Sequence, residues 1–182
     1  MERILRENAL NIPNFLTVLR IVLMPAVFWR YCCGDSVGAF ALYLTSMLTD
    51  VADGFIARRF NQITAVGQLL DPIADKVSML TILILFVSDG QISSWILGVV
   101  FVKEAILVLG SAAALRFGIV VSALPVGKIT TFLFVLSTSL RFLTKRFLAD
   151  VLLIGSLALS FAALGWYSIE FFRQIHLQKV IA

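Results

Sequence analysis

The sequence predicts an all-α, polytopic membrane protein: a bundle of six transmembrane helices preceded by a short interfacial amphipathic helix. Three observations carry this. Of 182 residues, 60% are hydrophobic and only 14% charged, and the mean hydropathy of +0.98 lies well outside the range of water-soluble domains. The apolar residues fall into six runs, roughly 15–33, 36–57, 70–88, 92–115, 126–143 and 147–172, each near the ~20 residues a helix needs to cross the hydrocarbon core. Most charges stand at or near the ends of those runs, where side chains reach the headgroups.

Taken in order, the opening MERILRENAL alternates charged and apolar positions and is expected to lie at the interface. The first run follows Pro13, carries Arg20 and ends at the adjacent Cys32 and Cys33, which are spaced neither for a disulfide framework nor for a metal site. No cleavage pattern follows it, so it is expected to be kept as a span. Gly34-Asp35, the segment 58–67, Asp89-Gly90, the segment 116–124 and Lys145-Arg146 separate the later runs. With short connections this makes one membrane domain over 1–182. Six crossings put both ends on one side, together with Arg58, Arg59, Arg116, Lys128 and Arg173. Arg30, Arg141, Lys145 and Arg146 fall on the other. The richer side is expected to be cytoplasmic, in the inner membrane of the cell. The formal net charge of +4 is scattered, with no dense basic block. It points to anionic lipid headgroups or phosphorylated substrates and away from nucleic acid.

The exception to this charge pattern is DVADGFIARRFNQITAVGQLLDPIAD, residues 50–75. On a helix, Asp50, Asp53, Gly54 and Ala57 share an arc of about 100°. One face therefore presents two carboxylates beside two residues with almost no side chain. Asp71 and Asp75, four apart, form a second pair, with Gly67 one turn earlier. Carboxylates at membrane depth are costly and repel one another. Hard divalent cations answer both problems, and the lack of His or Cys in the cluster argues against zinc. The expected cofactor is Mg²⁺, with Mn²⁺ as the alternative, and two such ions can steady a phosphoryl displacement. Pro72 could open the third helix at its first position or interrupt it.

The order Asp50-x2-Asp53-Gly54-x2-Ala57-Arg58-x8-Gly67-x3-Asp71-x3-Asp75 resembles in full the signature of the CDP-alcohol phosphotransferase family. The resemblance implies six membrane helices, a homodimer, and a reaction in which another alcohol replaces the CMP of a CDP-linked alcohol. By that resemblance Asp50, Asp53 and Asp71 would bind the metal ions. Asp75 would complete the second metal site and serve as the base that deprotonates the acceptor. Gly54, Ala57, Arg58 and Gly67 would receive the CDP-lipid. Thr64 stands at the family's phosphate-contacting hydroxyl position.

Within the family, Asn11-Ile12-Pro13-Asn14-x2-Thr17-x2-Arg20, Ala57-Arg58-Arg59-x-Asn61, Leu70-Asp71-Pro72-x-Ala74-Asp75-Lys76 and Gly127-Lys128-x-Thr130-Thr131 are most similar to the phosphatidylglycerophosphate synthase branch. That implies CDP-diacylglycerol and sn-glycerol 3-phosphate as substrates, with Lys128 and Arg116 as candidates for holding the acceptor phosphate. The branch carries an Arg-Glu pair in its fourth span, where this chain has Lys103-Glu104. Adjacent residues point about 100° apart on a helix and need not pair, so Glu104 is expected to face a polar cavity. The rival acceptor is phosphatidylglycerol, as in a cardiolipin synthase of the same fold. A reading of a different class is a divalent-cation transporter, since carboxylates in a membrane also mark ion paths.

Overall fold

The structure is a computed structural model that describes residues 11–60, 64–116, 125–143 and 146–181. All the regular structure there is helical: α1 Ile12–Cys32, α2 Ser36–Arg59, α3 Ala65–Ser88, α4 Ser94–Arg116, α5 Pro125–Phe142 and α6 Arg146–Ile181. The expected interfacial helix falls on residues 1–10, outside the described residues. Among the described residues, three segments are long and apolar enough to cross a membrane: Ile12–Cys32, Ser36–Ala57 and Arg146–Phe171. The chain forms two compact units, Met1–Ile92 and Ser93–Ala182.

Helix ends in the first unit follow local chemistry. The Asn11 side chain accepts from the Asn14 N–H at 2.9 Å and caps α1, with Pro13 in the first turn, where a missing N–H costs nothing. Gly34, at φ 85°, turns the chain into α2, and Gly90, at φ 69°, ends the turn after α3. Asp35 caps α2 by accepting from the Gly38 N–H at 2.7 Å. That bond and the Arg30 guanidinium hold its carboxyl below the usual carboxylate range. Thr64 caps α3, so this helix starts earlier than the apolar run predicts. Hydropathy marks only the oily part of a helix, whereas backbone hydrogen bonding continues into polar sequence. Pro72 is therefore an interior residue of α3, not its first.

Within the first unit, α1 is the middle helix. Pro13, Asn14, Thr17, Arg20, Met24 and Val27 form its buried stripe, and both α2 and α3 pack against α1 rather than extensively on each other. The half of the stripe toward Cys32 is apolar and meets a core that includes Ala39, Tyr43, Ile82 and Phe86. Near that end the Tyr31 and Phe86 rings meet edge to face at 6.0 Å. The Tyr31 hydroxyl donates to Asp89 Oδ2 at 2.8 Å. The half toward Asn11 is polar and faces the carboxylates. Cys32 and Cys33 are exposed and unbridged.

In the second unit, α5 and α6 pack closely and α4 packs on α6. Ser137 Oγ donates to the Ala149 carbonyl at 2.7 Å, and Arg141 pairs with Asp150. Lys103 and Glu104, which as helix neighbours need not pair, are both buried and joined, with Nζ 2.5 Å from Oε1. The flexible lysine stem spans the angular gap, because an unpaired charge among apolar side chains costs more than bending the stem. Lys103 also lines an apolar groove with Trp95, Gly98, Val102, Ile106 and Phe161. Large apolar side chains such as Val22, Leu48, Val51, Phe101, Leu109, Phe147 and Ile154 are exposed, an outer surface suited to lipid.

Candidate active site

The site is built by three helices of the first unit. Helix α2 brings Asp50 and Asp53, α3 brings Asp71 and Asp75, and α1 brings Asn14, Thr17 and Arg20. These three are spaced three apart and so lie within about 120° of arc. Arg20 is the hub. Its Nη2 lies 2.5 Å from Asp50 Oδ1 and 2.6 Å from Asp53 Oδ2, and its Nη1 lies 2.8 Å from Asp75 Oδ1. The Thr17 hydroxyl has Asp71 Oδ1 at 2.8 Å, the Pro13 carbonyl at 3.1 Å and Asp53 Oδ2 at 3.3 Å. A hydroxyl has one proton, so the shortest of these, to Asp71, is its main bond.

Burial is graded across the site. The Arg20 and Asp53 side chains are 1% and 5% exposed, while those of Asp50 and Asp75 are 46% and 61% exposed. Asp71 is exposed as well. The cluster thus has a sealed floor and an open side. Toward the floor, Arg20 Nε, Ser46 Oγ and Ser78 Oγ are buried without a hydrogen-bond partner among the described residues. Ser46 precedes Asp50 by one turn and Ser78 follows Asp75 by about one, so each extends the carboxylate stripe of its own helix.

One turn nearer the start of α1, Asn14 Nδ2 donates to Thr64 Oγ1 at 3.1 Å, and Thr64 Oγ1 accepts from the Gly67 N–H at 3.0 Å. A Cβ at Gly67 would stand 2.6 Å from Asn14 Oδ1. In this structure the glycine is where α1 and α3 come into close contact, and the Thr64 hydroxyl serves as a helix cap. Gly54 and Ala57 are partly buried on α2. The side chains of Arg58 and Arg116 lie outside what the structure describes. Lys128 is exposed on α5 in the second unit.

All four predicted carboxylates are therefore brought together. Sequence reasoning gave no site role to Asn14, Thr17 or Arg20, although polar residues repeating every third position in an apolar span are themselves a signal. The donor set is all oxygen, and four carboxylates face one guanidinium, so the cluster suits a hard divalent cation in chemistry and charge. Among the described residues, no three acidic, His or Cys side chains close on one common point. Asp50, Asp53 and Asp75 converge on the guanidinium instead, and Asp71 on the Thr17 hydroxyl.

The CDP-alcohol phosphatidyltransferase family model matches residues 10–168. The chain belongs to that family. It is an integral membrane protein. Among its relatives, a putative cardiolipin synthase of Mycobacterium tuberculosis is 36% identical over 137 residues, covering 72% of this chain and 65% of that protein. A probable CMP-forming cardiolipin synthase of Drosophila melanogaster is 35% identical over 113 residues, covering 62% and 35%. A CDP-diacylglycerol--glycerol-3-phosphate 3-phosphatidyltransferase of Pseudomonas fluorescens is 41% identical over 88 residues, covering 44% and 43%. The chain thus spans from about a third to about two thirds of the length of these curated relatives.

Proposed function

We propose that this chain transfers a phosphatidyl group from CDP-diacylglycerol to sn-glycerol 3-phosphate, forming phosphatidylglycerophosphate and CMP. The observation that carries the reading is the gathering of two carboxylate pairs, from α2 and α3, beside one buried guanidinium that binds three of the four, with one side open. The supporting comparison is the family match over most of the chain.

In this reaction the acceptor oxygen bonds to the β-phosphorus. The bond from that phosphorus to the oxygen bridging to the α-phosphorus breaks, and CMP leaves with the electron pair. Asp75, on the open side, takes the acceptor proton. Asp50, Asp53 and Asp71, with Asp75, would hold Mg²⁺ (two ions) or Mn²⁺, which when bound offset the charge of the pyrophosphate. Gly54 and Ala57 leave room for the nucleotide beside Asp50 and Asp53, and Arg58, Thr64 and Gly67 belong to the same CDP-lipid region. Lys128 and Arg116 are the cations for the acceptor phosphate. The chain crosses the inner membrane six times as a homodimer, with the carboxylates at the cytoplasmic face. Diacyl chains then stay in the bilayer while the headgroup reaches the cluster.

A second acceptor, phosphatidylglycerol, is favoured by two observations. The cardiolipin synthase relatives cover more of the chain, and Lys103 is tied to Glu104, which reduces its value for gripping a phosphate. The cation-transport reading is weakened by the apolar packing of Met24, Val27, Ile82 and Phe86 beyond the cluster. The deciding experiment is CMP release by the purified protein with CDP-diacylglycerol and Mg²⁺, comparing glycerol 3-phosphate, phosphatidylglycerol, inositol phosphate and serine. Release with glycerol 3-phosphate alone is expected. Release with phosphatidylglycerol alone would move the chain to the second reading, and no release with any acceptor would sink both.

A further inference from the structure

We propose that Arg20 is a positioning residue that sets the separation between the two halves of the carboxylate cluster; the inference rests on the reading of that cluster as the transfer site.

The two halves stand on helices that have little direct packing with one another. Both α2 and α3 pack on α1, so the distance from Asp50 and Asp53 to Asp71 and Asp75 is decided by what α1 places between them. Four carboxylates left to themselves would push these helices apart. The planar fork of Arg20 opposes this directly. One nitrogen, Nη2, holds the α2 pair at 2.5 and 2.6 Å, and the other, Nη1, holds α3 through Asp75 at 2.8 Å. Thr17, one turn away on the same stripe, adds the bond to Asp71.

Burial argues that the placement serves the site. Side-chain exposure of Arg20 is 1%, so the guanidinium has given up nearly all its hydration. An apolar side chain would pack α1 at lower cost. The guanidinium is buried with both Nη atoms held by carboxylates, and it offers no electron pair to a metal ion, so its action on the reaction passes through the carboxylates it orients. A lysine cannot reproduce it, because a single ammonium on a flexible stem lacks the two-armed geometry that engages both helices.

The test uses the 182-residue chain in lipid nanodiscs, with Cys32 and Cys33 replaced by Ser and spin labels attached through Phe55→Cys on α2 and Ile73→Cys on α3, both exposed. Two quantities are read in the parent, Arg20→Lys and Arg20→Gln: the distribution of interspin distances, and the Mg²⁺ concentration that gives half-maximal protection against thermal unfolding. With labelled chains diluted in unlabelled ones, so that only distances within one protomer are read, the parent should give a single narrow distribution. Both variants should shift it outward and broaden it, and should raise the Mg²⁺ midpoint about tenfold, the size of effect seen when a residue orienting metal ligands is lost. If Arg20→Gln fails to fold, Arg20→Lys, which keeps the charge, decides the matter. A lysine variant with parental distances and midpoint would overturn the proposal, since charge alone would then suffice. The distance readout needs no substrate, so it stands apart from the acceptor assay. A protein inactive with every acceptor can still show the Arg20 effect, and an active one can lack it.

Discussion

Replacing Gly67 with Ala tests the contact between α1 and α3 at the edge of the site. The added methyl would lie 2.6 Å from Asn14 Oδ1 and 3.1 Å from Thr64 Oγ1, well inside van der Waals contact. The side chain that must move is Asn14, whose residue is 4% exposed and whose amide bonds Thr64. Losing that hydrogen bond and leaving buried polar atoms unpaired costs about 1–3 kcal/mol. Helix propensity works the other way, because Ala is preferred over Gly inside a helix by about 1 kcal/mol. The balance is a destabilisation of about 1 kcal/mol for Gly67→Ala. Asn14→Ala loses the hydrogen bond but makes no clash, so adding Gly67→Ala to it should bring the propensity gain without the 2.6 Å clash, leaving only the milder contact with Thr64 Oγ1. A double-mutant cycle by reversible unfolding in detergent should therefore show coupling of about 1–2 kcal/mol between two residues in contact. A Gly67→Ala protein more stable than the parent, or coupling indistinguishable from zero, would refute this account of the glycine.

Three further outcomes are expected. Thr17→Val, nearly isosteric, removes the hydroxyl that donates to Asp71 and should cost about 1.5–3 kcal/mol, the range for a hydrogen bond to a charged group. Thr17→Ser should recover most of it, and equal melting of the valine variant and the parent would discount that bond. Asp75→Asn should lower CMP release by about 10²–10⁴-fold, the usual worth of a general base, while CDP-lipid binding is largely kept. Near-normal turnover would remove Asp75 from that role. Tyr31→Phe serves as a control at the far end of α1, about 16 Å along the helix from Arg20. It loses the bond to Asp89 and should lower stability by about 1 kcal/mol with turnover unchanged, so a large loss of activity would show coupling along α1 that the geometry does not predict.

The sequence by itself determined what local chemistry controls. Apolar runs marked the six helices of the described residues, three of which hold segments long and apolar enough to cross a membrane, because hydrophobic length is written residue by residue. Carboxylate spacing on α2 and α3 followed from the 3.6-residue period, which places Asp50 with Asp53 and Asp71 with Asp75 whatever the rest of the chain does. The signature order was enough to identify the family. Local rules also account for Gly34 and Gly90, where positive φ is needed.

Only the tertiary structure decided that α1 lies between α2 and α3, and hence that Arg20 reaches three carboxylates 30 to 55 positions along the chain. No periodic pattern encodes such a contact; it depends on which faces of separate helices meet. Thr64, which the family resemblance gives as a phosphate-contacting hydroxyl, also caps α3 and meets Asn14, fifty residues away. Lys103 and Glu104 read as helix neighbours that need not pair, yet their burial forces them together. In each case the cost of desolvating a polar group chose the partner. Which groups are desolvated is a property of the packed helices, not of any stretch of sequence.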